Sequence, residues 1–280
     1  MVHVLEATSG DNGPVAQRTI RRHPSAGNLS SRPVLVDEHT RPEPLPPVSF
    51  PHGVELSGRV VEFGPDLDHD QINRLIGNVE GRRVLDLGCG TGAAAIALAR
   101  RGARVIAVET STSRLAQARL AAERAEVRIE FHHSDLADLA FLRADAVDLV
   151  VSVYALTAVG DLSRVVRQVH RVLTPESPFV LSLPHPFASM LEDDEAEEQP
   201  PSLTRTAWQP SPRAWRAAAD EGVSHPHSVS EVFTTLTRAS FRVDTLLEPR
   251  ADSDGTSPHR SSLSDWVPET LLVRARKLGI

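Results

Sequence analysis

The nine residues VLDLGCGTG, Val84 to Gly92, decide how this chain reads. An apolar run encloses one carboxylate, Asp86, and glycines then stand at 88, 90 and 92. This is the pattern of a short buried strand running into a tight turn. The alanine-rich stretch at 91–102 continues it as a helix closed by Gly102. Glycines at such a turn let the backbone approach a ligand closely, and the free amides of the following helix face the same spot.

The alternation extends in both directions. Residues 68–79 carry Ile72, Leu75 and Ile76 at helical spacing. ARVIAVET (103–110), VRIEFHHSD (127–135), VDLVVSVYAL (147–156) and FVLSLPHPF (179–187) read as further strands, with amphipathic helices predicted at 113–125 and 161–173. Strands alternating with helices of this length imply a parallel sheet wound on both faces. Residues 228–249 read as helix then strand, and ETLLVRARK (269–277) as a strand with no helix before it, which predicts an antiparallel arrival. The expected fold is α/β: a doubly wound, Rossmann-like, mostly parallel seven-stranded sheet with an antiparallel terminal strand.

Residues 1–54 are proline-rich and aperiodic, and RPEPLPP (41–47) excludes a helix or central strand, so a disordered tail is expected there. The alternative is a docking arm carrying the basic cluster at 18–25. The folded domain is expected over 55–280. Within it, 187–228 lacks periodicity and holds Trp208, Trp215 and the acidic run EDDEAEE, which predicts a lid or insertion.

A net charge of −7 argues against a surface that tracks nucleic-acid phosphates and favours a small-molecule substrate. No apolar run reaches the roughly 20 residues of a membrane helix, and the lone cysteine, Cys89, precludes an intrachain disulfide. A soluble, cytoplasmic protein is expected. No metal-ligand pattern is present, and no heptads speak to oligomeric state.

In a doubly wound sheet, ligands sit at the carboxyl ends of the strands. There an acid at Asp86 would repel a pyrophosphate but suits a cationic ligand. Glu109 ends the second strand, where a carboxylate can accept both hydroxyls of a ribose. Asp135, past the third strand, is placed to accept from an adenine amino group while the Leu136 amide donates to the ring. Each acid also has a plain structural reading: a solvated strand end, a helix N-terminal acid and a turn cap.

Taken together, VLDLGCGTG, the acid in VIAVETS (105–111), SDLADL (134–139) and the strand VDLVVSVYAL resemble the class I S-adenosylmethionine-dependent methyltransferases, small-molecule type, of an actinobacterial-looking branch. The resemblance runs from about Val60 onward. It implies S-adenosylmethionine as cofactor, with Asp86 near the methionyl ammonium, Gly88 and Gly90 against the cofactor, and the Ser152 backbone facing its amino-acid part. Cys89, Gly92, Glu109, Thr110, Asp135 and Leu136 complete the candidate set, and Phe63 and Asp66 are expected to close over it.

Because the sulfonium methyl is already activated, alignment matters more than a base. Relatives often carry histidines after the fourth strand, where this chain has Thr157 and Ala158. The candidate catalytic groups are therefore His185 and Tyr154, with His225 and His227 behind them. The absence of a proline-proline-aromatic turn after the fourth strand and the placement of Cys89 argue against methylation of nucleic-acid bases. The implied reaction is in-line transfer to a small molecule. The alternatives are a catalytically inactive cofactor-binding sensor or scaffold and, on the loose G-x-G-x-x-A overlap, a nicotinamide-dependent oxidoreductase.

Overall fold

The computed structural model describes residues 50, 56–67, 69–192, 201–207, 212–217, 220–250, 257 and 259–279. All of them belong to the unit Arg41–Ile280. The expected disordered tail lies outside the described residues, apart from Phe50, which packs its ring on Tyr154.

Seven strands form one sheet: β1 (Arg83–Leu87), β2 (Arg104–Glu109), β3 (Ile129–His133), β4 (Leu149–Val153), β5 (Pro178–Pro184), β6 (Phe241–Leu247) and β7 (Thr270–Lys277). Their order is β6-β7-β5-β4-β1-β2-β3. β1 to β5 pair in parallel, and β7 runs antiparallel to both of its neighbours, β5 and β6. The predicted antiparallel strand is therefore present, inserted one place in from the edge.

Helices α1 (His69–Ile76), α2 (Ala93–Arg100) and α3 (Thr112–Arg124) cover one face, and α4 (Leu162–Val172) and α5 (Val229–Arg238) cover the other. Their ends follow local chemistry. Ser111, Asp161 and Ser228 cap α3, α4 and α5 by accepting first-turn amides. Strand side chains alternate between the two resulting cores: Leu85, Leu87, Ile106 and Val108 face α4 and α5, whereas Val84, Val105 and Ala107 face α1 to α3. By the same alternation Asp86 and Glu109 project to the α1–α3 side, and Ser152 to the other.

The fourth strand is shorter than its apolar run. The chain turns at Tyr154, which adopts a left-handed conformation (φ 55°), into a 3₁₀ turn at Ala155–Ala158. The stretch 187–228 is not structureless: it contains a 3₁₀ turn at Ala188–Met190, a ribbon pairing Leu191–Glu192 with Ser202–Leu203, and a hairpin pairing Arg213–Ala217 with Asp220–Ser224. Trp208 and most of the acidic run lie outside the described residues. Among the described residues, no helix is long and apolar enough to cross a membrane.

Candidate active site

The elbow after β1 packs tightly beneath and stays open above. The Gly88 and Cys89 amides donate to the Val108 carbonyl at 2.8 and 2.9 Å, fastening the elbow to β2. Gly88 has φ +81°, and a Cβ there would overlap the Ala155 methyl. Gly90 has φ +55°, and a Cβ there would meet nothing within 4 Å. Gly92 is the N-cap of α2 and packs against Ala118 of α3. The contrast separates a floor built at Gly88 from a surface at Gly90 that stands clear of the rest of the chain.

Asp86 is 1% exposed. It accepts the Ala95 amide from α2, while its Oδ2 is buried without a hydrogen-bond partner. Burial, with the Glu109 carboxylate nearby, raises its pKa from 3.8 to about 7. A solvated strand end is thereby ruled out. Such an orphaned oxygen is uncommon in a folded interior and calls for an explanation.

Glu109 is buried and does more than end a strand. Its Oε2 accepts the Gly90 amide at 2.8 Å, and its Oε1 accepts the Thr110 and Ser111 amides, each at 2.9 Å. The carboxylate thus ties the elbow to the turn that opens α3, and Thr110 adds its hydroxyl at 3.2 Å. Cys89 is buried beside both acids, and burial pushes its thiol well above the ordinary range. It therefore stays protonated and packs as a small apolar group.

The remaining candidates sort themselves by contact. Asp135 is exposed and accepts the Ala137 amide at 2.7 Å, a turn cap at the rim, while Leu136 is buried and reaches towards Gly88. Ser152 donates its hydroxyl to the Leu87 carbonyl at 2.8 Å, bracing β1 from the face opposite Asp86. Phe63 is fully buried among α1 and α2 residues, and Asp66 lies 4.0 Å from Arg260.

The two candidate catalytic groups are both engaged. His185 is buried at the end of β5; its Nδ1 accepts the Phe187 amide at 3.2 Å, so its Nε2 carries the proton and donates to Glu248 at 2.9 Å. Both ring nitrogens are thus engaged, and the imidazole holds Phe187 and Glu248 in place. Burial also lowers its pKa below the ordinary histidine value. Tyr154 shares a 2.6 Å hydrogen bond with Thr270, and burial raises its phenol, so it forms a wall. His227 Nε2 lies 2.9 Å from the Val159 carbonyl, which ties the α5 entry to the 3₁₀ turn.

Two features were not predicted. The 213–224 hairpin is tied at two points: the His225 amide after it donates to the Thr157 carbonyl at 2.7 Å, and Trp215 stacks over the Arg114 guanidinium of α3 at 5.3 Å. The second is His259, buried near this edge with an unpartnered Nδ1. Nothing in SPHRSS marks it, because its neighbours come from distant segments. A separate cavity of about 390 Å³, lined by Arg83 and residues 141–146, adjoins the amino end of β1 and shares no residue with this cluster.

Comparison with known proteins matches the fold that carries this cluster. A family model described as a methyltransferase domain covers residues 84–176, which include β1 to β4 and α4. A crystallised S-adenosylmethionine-dependent methyltransferase of Mesorhizobium loti is 28% identical, with a TM-score of 0.62, over 73% of this chain and 95% of that one. Residues 84–176 thus carry a methyltransferase domain, and the fold around them is that of S-adenosylmethionine-dependent methyltransferases. A methyltransferase structure from Methanosarcina mazei shares the fold at 20% identity, with a TM-score of 0.56, covering 76% of this chain and 99% of that one. A ubiquinone biosynthesis O-methyltransferase of Alkalilimnicola ehrlichii is 34% identical over 113 residues, 40% of this chain and 46% of the relative. The chain spans about half the length of the curated relatives it matches. The residues at the elbow fit S-adenosylmethionine on their own geometry: an orphaned buried carboxylate oxygen for a cation, and a glycine backbone clear of neighbouring side chains.

Proposed function

We propose that this methyltransferase transfers the methyl group of S-adenosylmethionine to a small-molecule acceptor. The observation that carries this reading is the buried Asp86 with its unpartnered Oδ2 beside the elbow. When bound, the cofactor supplies a methyl group already activated on a sulfonium.

In this reading Asp86 ionises and takes the methionyl ammonium. Glu109 accepts the ribose hydroxyls while keeping its amide donors. Asp135 and the Leu136 amide receive the adenine edge. The Gly90 backbone lies against the cofactor, Cys89, Gly92 and Thr110 shape the turn, and the Ser152 backbone borders the amino-acid end. The chain's task is then alignment, which can supply about 7–11 kcal/mol. The 187–228 lid serves it by excluding water, with Trp215 on Arg114 as its hold on α3. His185 and Tyr154 support the wall.

The curated relatives' printed activity, O-methylation, makes an oxygen nucleophile the first acceptor class to test. A small molecule rather than nucleic acid fits the net charge of −7, and a cytoplasmic setting fits the single buried thiol. Calorimetric titration with S-adenosylhomocysteine is expected to show micromolar binding, about −8 kcal/mol. A screen of metabolite extracts with isotopically labelled methyl donor is then expected to label a discrete mass. No binding in the titration overturns the reading.

A further inference from the structure

A second polar cluster stands at the carboxyl edge, outside the elbow. The segment 56–67 crosses this edge: Gly58 packs by Ala93 and Ile96 at the start of α2, and Gly64 packs on Thr270 at the start of β7. Between them, Glu62 places Oε2 3.4 Å from Nε2 of His259. Its Oε1 accepts the Ser57 hydroxyl at 3.1 Å. His259 is 4% exposed, and its Nδ1 is buried with no hydrogen-bond partner.

A neutral imidazole that turns Nε2 towards a carboxylate favours its proton on that nitrogen, which puts the lone pair on Nδ1. That is the arrangement of a general base with its orienting acid. The other charged groups nearby are committed elsewhere: Arg260 to Asp66 at 4.0 Å and to Asp265, and Glu269 to the Ser261 amide at 3.0 Å and the Ser264 hydroxyl.

The Phe50 ring packs edge-on to His259, centroids 5.1 Å apart, and its other aromatic neighbour is Tyr154 at 5.2 Å. Tyr154 is followed by Ala155, the residue against Gly88. The Phe50 ring thus lies between the His259 imidazole and Tyr154, whose next residue adjoins the elbow.

We propose that the position of the Phe50 ring is the acceptor site, that a planar aromatic alcohol takes the place of that ring, and that Nδ1 of His259 removes its hydroxyl proton. The inference rests on the methyl-transfer reading. As the acceptor oxygen forms its bond to the methyl carbon, the hydroxyl proton passes to Nδ1 and the electron pair of the breaking carbon–sulfur bond stays on sulfur, leaving a neutral thioether. The imidazolium faces Glu62 and afterwards returns its proton to water. Glu62 acts through His259 as a positioning residue.

The test uses the full chain loaded with S-adenosylhomocysteine and 4-nitrocatechol as probe, whose visible absorption reports ionisation of its hydroxyl. Bound to the native protein, the probe is expected to ionise about one to three pH units below its midpoint in water, because the proton moves to a neighbouring imidazole that then carries the opposite charge. His259→Gln is expected to abolish that shift with homocysteine-cofactor affinity retained, Glu62→Gln to reduce it, and Phe50→Ala to tighten the probe. With labelled methyl donor, His259→Gln is expected to slow methylation of the probe about 10²- to 10⁴-fold. Equal midpoints in native and His259→Gln proteins overturn the proposal, as does a probe that fails to bind the loaded protein. Should His259→Gln fold poorly, an unchanged midpoint in Glu62→Gln overturns it as well. A native protein that does not bind S-adenosylhomocysteine sinks the methyltransferase reading itself, whereas binding with a silent probe sinks this one alone.

Discussion

Replacing Asp86 by asparagine should make the empty protein more stable at high pH and a worse cofactor binder at the same time. In the folded chain the acid titrates near 7, against an ordinary value of 3.8 in the unfolded chain. Between these two values the folded state holds one proton more than the unfolded state, so stability is present at low pH and is lost as pH rises through about 7. Each pH unit in that window is worth about 1.4 kcal/mol. From pH 5 to pH 8 the native protein should therefore lose about 3 kcal/mol relative to Asp86→Asn, nearly all of it below pH 7. Urea denaturation of both proteins across this range measures the difference directly. With ligand present the order reverses: the ammonium selects the ionised acid, so native affinity for S-adenosylhomocysteine should fall up to tenfold per pH unit below about 7. The asparagine variant should bind more weakly by about 1.5–3 kcal/mol at pH 8 and show no such slope. Parallel stability curves for the two proteins would refute the buried-acid argument, and equal affinities would refute its role as counter-ion.

The two elbow glycines should separate folding from binding: Gly88→Ala, forced into the Ala155 methyl, should lower stability by about 1–3 kcal/mol or more, whereas Gly90→Ala should fold within about 1–2 kcal/mol of native yet bind cofactor poorly, as thermal melts and titration will tell. Glu109→Ala should lose about 1.5–3 kcal/mol of S-adenosylhomocysteine affinity, and unchanged binding would remove the ribose assignment. Trp215→Ala should weaken cofactor binding by about 0.5–1 kcal/mol through the lost stacking on Arg114, and Trp215 emission should respond to cofactor addition; a silent, neutral substitution would detach the hairpin from the site.

The sheet and the glycine elbow were legible because their signals are local. Asp86 and the glycines lie within seven residues, and strand period, helix caps and the acid at the second strand's tip all report on short stretches of chain. The acceptor half was not legible because it is assembled at long range. Glu62, Phe50 and His259 come from three segments without periodicity. His185, conspicuous between two prolines, turned out to spend one nitrogen on Glu248, 63 residues onward. Only partners in space decide which ring nitrogen is free.

The placement of β7 bears on how the chain is made. It follows β6 in the chain yet lies between β6 and β5, bonded to both along nearly its whole length. During synthesis, β1 to β5 can pair as they emerge from the ribosome, but β6 has no seat until the strand after it arrives. Until then the β5 flank is an unpaired edge, the kind of surface on which other chains can pair.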